Sequence, residues 1–338
     1  MNKISRQHVV NFFVSLLFLN NLAFAQEAKK EYGVYEYVVQ SAPGTFEEIS
    51  AALENSVASS AWRLLAKVDA GVPEGCSHQA RVFVLFDSAY AQQIMQANRK
   101  TGPFAVVDRV NLFEDEKGVH VAAVNPHSIN RTILMEDQKY EVMTAAHWQA
   151  LRKMIGSVAP GTASEKEYGP MREKGYIGKT MGIMAGGKFE DKIQDEAVVA
   201  GGNWQDVTAK VREGLKKTGA KWGMHLVYEL EMPSYETAIF GSIGTPMDSK
   251  SFSIVKAGGD DTRKNFECPG LAHAAAYPIE VVVAREAGGV KVRLVNVMYR
   301  MKMYFEDAGK MAFMKNMGMP GSIQDELKTQ FKTALGMK

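Results

Sequence analysis

The chain repeats one order of helices and strands in its two halves, and this repetition limits its fold more than any other feature. The segment GTFEEISAALENSVASSAWRLLAKVD predicts an amphipathic helix followed by a strand, and GNWQDVTAKVREGLKKTGAKWGMHLVYEL predicts the same order in the second half. Apolar side chains recur at helical spacing in both segments, at Phe46, Ile49, Leu53 and Val57, and at Val207, Val211 and Leu215.

A pair of hairpins extends the repetition. The segment PFAVVDRVNLFEDEKGVHVAAVN (103–125) corresponds to YPIEVVVAREAGGVKVRLVN (277–296). Each predicts an apolar strand, an acidic turn with glycine and a second apolar strand. Ahead of them, ARVFVLF (80–86) is matched with SFSIVKA (251–257), and both alternate as strands do.

These patterns predict an α+β protein of two repeated domains, each an antiparallel sheet with helices packed on one face. The first repeat is predicted at 32–155 and the second at 201–338. The connection at 156–200 is rich in glycine and long for a compact protein, so it is interpreted as a linker or a lid.

The strand–helix–hairpin stretches of both repeats resemble the domain-of-unknown-function 302 family, so the chain looks like a tandem duplication within it. The resemblance implies small α+β units with an antiparallel sheet, and it implies no catalytic residues. Duplication of a domain that can pair with itself would give a pseudo-dimer within one chain, with a site at the seam between the repeats.

The first 25 residues have the features of a secretory signal peptide. Lys3 and Arg6 precede an apolar run from Val9 to Leu19, and Ala23-Phe24-Ala25 predicts cleavage before Gln26. The run is too short to span a membrane. We therefore expect a secreted or periplasmic bacterial protein with no membrane span in its mature chain.

Removal of this leader changes the charge of the chain. Of the 40 basic residues two are lost, which leaves 38 against 38 acidic residues. A net charge of zero gives no electrostatic support to nucleic-acid binding.

Two cysteines, Cys76 and Cys268, remain in what would be an oxidising compartment. A disulfide between them would join the two halves, and a pair of buried thiols is the alternative. The sequence does not decide between these, because it does not show how close the two Cα atoms lie.

Methionine is unusually frequent, with 19 in the chain. A C-terminal cluster predicts a Cu(I) site because soft thioethers suit a soft ion; its candidate ligands are Met301, Met303, Met311, Met314, Met317 and Met319, together with Cys268 and His273. The alternative is packing, with Met301 and Met303 on the buried face of a strand over Val295–Phe305 and with Met311 and Met314 on a helix against it. Met317 and Met319 are least explained by packing.

No motif specifies an enzyme reaction. The Gly-x-Ser-x-Gly and His-Glu-x-x-His signatures of hydrolases are missing, and Gly178-Lys179-Thr180 lacks the first glycine of a phosphate-binding loop. We therefore expect a periplasmic non-enzymatic binding protein that holds a small molecule or a protein partner at the seam. The alternative hypotheses are a Cu(I)-binding protein that uses the methionine cluster and an enzyme of unrecognised type.

Overall fold

A computed structural model of the chain describes residues 31–135, 137–160, 162–172, 176–180, 185–255, 263–305 and 310–337. The predicted signal peptide lies outside these ranges. Glu31–Lys338 pack as one compact unit.

The first half of the described chain forms a six-stranded antiparallel sheet in the order β2-β3-β4-β5-β1-β6. Its strands are β1 (Tyr32–Ala42), β2 (Arg63–Asp69), β3 (Ala80–Phe86), β4 (Asp108–Asp115), β5 (Gly118–Val124) and β6 (Glu167–Arg172). The helices of this half are α1 (Phe46–Ala58), α2 (Ser88–Ala97), α3 (Pro126–Ile133) and α4 (Asp137–Gly156).

The second half forms a five-stranded antiparallel sheet in the order β10-β11-β12-β13-β9. A small hairpin of β7 (Tyr176–Thr180) and β8 (Ala185–Lys188) precedes β9 (Ile193–Val199), β10 (His225–Met232), β11 (Thr237–Ile243), β12 (Ile279–Glu286) and β13 (Gly289–Val295). The helices are α5 (Trp204–Leu215), α6 (Thr245–Ile254), α7 (Val297–Phe305), α8 (Lys310–Lys315) and α9 (Met319–Leu335).

The predicted fold class is confirmed, since the two antiparallel sheets have helices packed alongside them. Strands that correspond in chain order occupy the same places in the two sheets, apart from the extra strand β6 beside β1. The segment predicted as a linker or lid contributes β6 to the first sheet and β9 to the second. Where one domain ends and the other begins stays a prediction.

Local sequence signals explain where the matching helices begin. Thr45 and Glu48 form a capping box at the start of α1, with the Thr45 hydroxyl accepting from the Glu48 amide. Asn203 caps α5 by accepting a hydrogen bond from the Asp206 amide. Each cap satisfies amide groups that have no partner inside the helix.

The two faces of the first sheet pack against two different hydrophobic cores. On one face, β3 and β4 contribute Phe83, Leu85 and Val110 to a core that also contains side chains of α1 and α4. On the other face, Val82 and Val84 belong to a second core, which includes residues of both halves. This alternation follows the two-residue period of a strand.

Two strands expected from the sequence are helices. The sequence pattern matches the stretch 251–257 with β3, but α6 occupies Thr245–Ile254 and β11 holds the place corresponding to β3. Pro246, in the first turn of α6, is well suited to a helix start.

The strand predicted over Val295–Phe305 ends at Val295, and α7 follows. Asn296 causes the change, because its side-chain oxygen accepts a hydrogen bond from the Tyr299 amide at 3.1 Å. The alternation of apolar residues beyond Asn296 is therefore not a strand pattern.

Within the part of the chain that the structure describes, no helix has the length and apolar character needed to cross a membrane.

Candidate functional site

The second half meets the first sheet along a buried seam. We use this term for the contact of β4 with the 3-10 segment Pro269–Ala276, with the start of β12 and with α7. Side chains of the first half donate to carbonyl groups of the 3-10 segment, since Asn111 Nδ2 lies 2.9 Å from the Leu271 oxygen and Tyr168 Oη lies 2.7 Å from the Ala272 oxygen. The first sheet thus satisfies these two carbonyl groups of the segment.

A buried ion cluster occupies the centre of the seam. Glu280 on β12 lies between Arg109 on β4 and Arg300 on α7, and each of the three side chains is at most 6 % exposed. Arg109 Nη1 lies 3.3 Å from Glu280 Oε1, and Arg300 Nε lies 3.0 Å from Glu280 Oε2. One carboxylate therefore serves two guanidinium groups.

Backbone and aromatic groups complete the surroundings of both arginines. Arg109 donates to the Ala276 carbonyl at 3.0 Å and to the Tyr304 hydroxyl, and Arg300 donates to the Pro278 carbonyl. The guanidinium carbons of Arg109 and Arg300 lie 4.7 and 5.0 Å from the centre of the Tyr304 ring. Each distance is within the range of a cation–π interaction.

The charges of the cluster do not balance. In the described part of the chain, Glu280 is the only carboxylate in contact with either arginine, so the cluster carries one excess positive charge. Several kcal/mol is the usual cost of burying an ion without a partner. The excess charge makes the cluster a place where an anion would be stabilised.

Among the described residues, three donor groups around the cluster find no hydrogen-bond partner. They are Arg109 Nε, Arg300 Nη1 and the Tyr228 hydroxyl. Burial raises the pKa of Tyr228 well above 10, and the charge of Glu280 raises it further, so Tyr228 keeps its proton at neutral pH. Unmade hydrogen bonds of buried donors are costly, and an acceptor beside any one of these groups would satisfy that group.

Arg109 and Glu280 occupy corresponding places in the two sheets. In the first sheet, Val110 pairs with Ala123 and Asp115 pairs with Gly118. In the second, Val281 pairs with Leu294 and Glu286 pairs with Gly289. Arg109 and Glu280 each directly precede the first residue of these registers, and they contact each other across the seam.

Cys76 and Cys268 are joined by a disulfide with an S–S distance of 1.98 Å and a Cα–Cα distance of 6.0 Å. The bond ties the loop between β2 and β3 to the start of the 3-10 segment. Next to it, Glu267 accepts hydrogen bonds from the amide and the hydroxyl of Ser77. The sulfur of Cys268 is therefore already bonded and is not a free thiolate.

His273, another residue proposed as a copper ligand, lies inside the protein among aromatic rings. Its ring centre is 5.1 Å from that of Tyr35, 5.8 Å from that of Tyr168 and 6.0 Å from that of Phe305. Burial, with a smaller effect of Arg263, lowers the pKa of His273 to about 3, so its imidazole is neutral.

The methionines of the predicted copper cluster are divided between the core and the surface. Met303 and Met319 are buried, and Met301 packs against the same core. Met311, Met314 and Met317 are exposed. The expectation that Met311 and Met314 pack on a strand over Val295–Phe305 is wrong, because that stretch forms α7 and the two side chains face water.

Sequence reasoning missed the seam cluster. A signal was present, since Arg109 and Asn111 alternate with the apolar Val110 and Leu112 in β4, and Glu280 interrupts the apolar run from Ile279 to Ala284 in β12. Polar residues on the inward face of a strand need partners. The partners of Arg109 are more than 160 positions away along the chain, so the sequence does not identify them.

Comparison with solved structures finds a crystal structure titled "uncharacterized conserved protein DUF302 from Bacillus stearothermophilus". This chain is 14 % identical to it with a TM-score of 0.30, and the match covers 39 % of this chain and 97 % of that chain. No family model and no curated protein match the sequence.

Proposed function

We propose that this chain is an exported, non-enzymatic binding protein that holds a small anionic ligand at the seam between two copies of one α+β domain. The single observation that carries the proposal is the buried pair of guanidinium groups on one carboxylate. Export rests on the predicted signal peptide.

Three features support the duplication. The two sheets have the same strand order, the helices follow the strands in matching order, and Arg109 and Glu280 lie at corresponding positions. When two copies of a domain pair about a two-fold axis, a residue that lies near the axis meets its counterpart from the other copy. The Arg109–Glu280 contact has this form, with opposite charges on the two copies.

The chemistry of the cluster selects the ligand. Guanidinium groups favour carboxylates and phosphate-like oxyanions because two parallel N–H groups match two oxygens. The rings of Tyr304 and Tyr277 lie beside Arg300, at 5.0 and 5.9 Å from its guanidinium carbon. A small organic carboxylate suits this combination of charge and aromatic surface. Because the arginines are almost fully buried, exchange of the ligand requires the seam to open.

The test is the thermal stability of the mature protein at constant ionic strength, with chloride replaced stepwise by acetate, benzoate or phosphate. A ligand that binds only the folded state stabilises it, by about 2.7 kcal/mol at a hundred times its dissociation constant. We expect the wild-type midpoint to rise with a carboxylate. A rise with phosphate alone would assign the site to inorganic oxyanions.

Two substitutions distinguish the effect of the excess positive charge from the effect of ordinary ion pairing. Arg300→Met removes the excess charge, so we expect unchanged stability within about 1 kcal/mol in the absence of the carboxylate and no stabilisation by it. Glu280→Gln leaves two unpaired guanidinium groups, so we expect a loss of about 3–5 kcal/mol.

The matched control is Arg293→Met. Arg293 is also buried, but its charge is compensated by Asp195 and Glu286. This variant should lose stability and keep the response to the carboxylate. A wild-type protein that ignores every anion, or an Arg300→Met variant that still responds, would contradict the proposal.

A further inference from the structure

Three neighbouring methionines on the second half are exposed although their side chains are apolar. The exposed fractions are 65 % for Met311, 44 % for Met314 and 39 % for Met317. Met303 and Met319, from the same part of the sequence, are buried at 2 and 8 %. Packing therefore explains the buried pair and does not explain the exposed three.

The three residues are spaced so that their side chains can meet. Met311 and Met314 are three positions apart on α8 and thus share one face of that helix. Met317 follows three positions later, in the turn that leads into α9. Hydrogen bonds hold this turn, since Asn316 Nδ2 donates to the Ala312 oxygen at 2.8 Å and the Met319 amide donates to the Asn316 oxygen at 3.0 Å.

Other ligands suggested by the sequence do not join these methionines. Cys268 is bonded to Cys76, His273 is enclosed by aromatic rings, and Met303 and Met319 are core residues. Among the described residues, the only group of histidine, cysteine and carboxylate side chains close enough to hold a metal is Cys76, Glu267 and Cys268, and the disulfide engages two of its three members.

We propose that the thioethers of Met311, Met314 and Met317 form a surface site for monovalent copper, separate from the seam. Three neutral sulfur donors suit a soft monovalent ion and are poor ligands for Zn²⁺ or Mg²⁺, which favour imidazole, thiolate or oxygen ligands. Thioethers carry no proton at any ordinary pH, so binding does not compete with protonation. The site uses no residue of the seam cluster.

The experiment is an anaerobic titration of the mature protein with Cu(I), followed by competition with a chromophoric Cu(I) chelator and by native mass spectrometry. We expect one ion per chain, with the same affinity at about pH 5 and about pH 7 because no ligand titrates. A clear fall in affinity at the lower pH would point to imidazole or thiolate ligands and would overturn the proposal.

Substitutions to leucine keep the apolar surface and remove the sulfur. The variant with Met311→Leu, Met314→Leu and Met317→Leu should lose the ion and keep the wild-type unfolding midpoint. The matched control carries Met303→Leu and Met319→Leu, and it should keep the ion. Retention of copper by the triple variant, or no bound copper in the wild type, would refute the site and leave the seam proposal untouched.

Discussion

At the scale of single residues, the fold depends on buried charges that find partners far away in the sequence. His147 on α4 is an example outside the seam. Its Nε2 atom lies 2.9 Å from Asp108 Oδ1, its Nδ1 atom lies 3.7 Å from Asp87 Oδ2, and its ring stacks on Tyr90 with centres 3.4 Å apart. Burial opposes a charge on the imidazole, but the two carboxylates outweigh it and raise the pKa of His147 to about 9.

This raised pKa predicts a pH dependence of stability. The pKa in the unfolded chain is about 6.5, so the contribution of protonated His147 is complete below that value and is lost as the pH rises to about 9. The pKa difference corresponds to a change in the free energy of unfolding of at most about 3 kcal/mol. Urea unfolding at about pH 6 and about pH 9.5 measures the loss, and His147→Gln should remove most of it. An identical pH dependence in the variant would show that other groups cause it.

At the scale of elements, the loop after β2 closely approaches the start of α6 and so adds a further contact between the two halves. The Gly71 amide donates to Asp248 Oδ2 at 3.2 Å. A Cβ atom on Gly71 would lie 2.3 Å from the Thr245 carbonyl oxygen, which belongs to the backbone and cannot move aside alone. Glycine is therefore required here by contact with another element.

We expect Gly71→Ala to destabilise the protein by about 1–3 kcal/mol, because the backbone of the loop or of α6 must shift. Gly156→Ala is the control. Gly156 ends α4, and a Cβ atom there would meet nothing within 4 Å. The free energy of unfolding of the Gly156→Ala variant should stay within about 1 kcal/mol of the wild-type value. Equal effects of the two substitutions in chemical denaturation would contradict this account of the contact.

The repeated helix–strand units and hairpins could be predicted from the sequence, because periodicity and capping residues are local signals. Helix α1 and the β4–β5 and β12–β13 hairpins lie where the sequence predicts them. The errors occurred where one polar residue outweighs an apolar alternation, as at Asn296. The seam cluster was not predicted, because its charged residues come together only through the packing of distant elements.

At the scale of the whole molecule, the contacts between the two halves include a disulfide, a shared core and an ion pair. The Cys76–Cys268 disulfide spans 192 positions, one hydrophobic core includes residues of both halves, and the Arg109–Glu280 pair crosses the seam. The repeated order of elements was visible in the sequence. The way in which the halves pack against each other was not visible, because the only sign of their contacts in the sequence is a few polar residues within apolar strands.

The most direct test of the account is a crystal structure of the mature protein grown with a carboxylate, with a bromide-containing crystal as a second data set. We predict density for an anion within about 2.7–3.2 Å of Arg109 Nε or Arg300 Nη1, and an anomalous bromide peak at the same place. A water molecule there, or protein atoms that fill the space, would contradict the claim that the seam holds an anion.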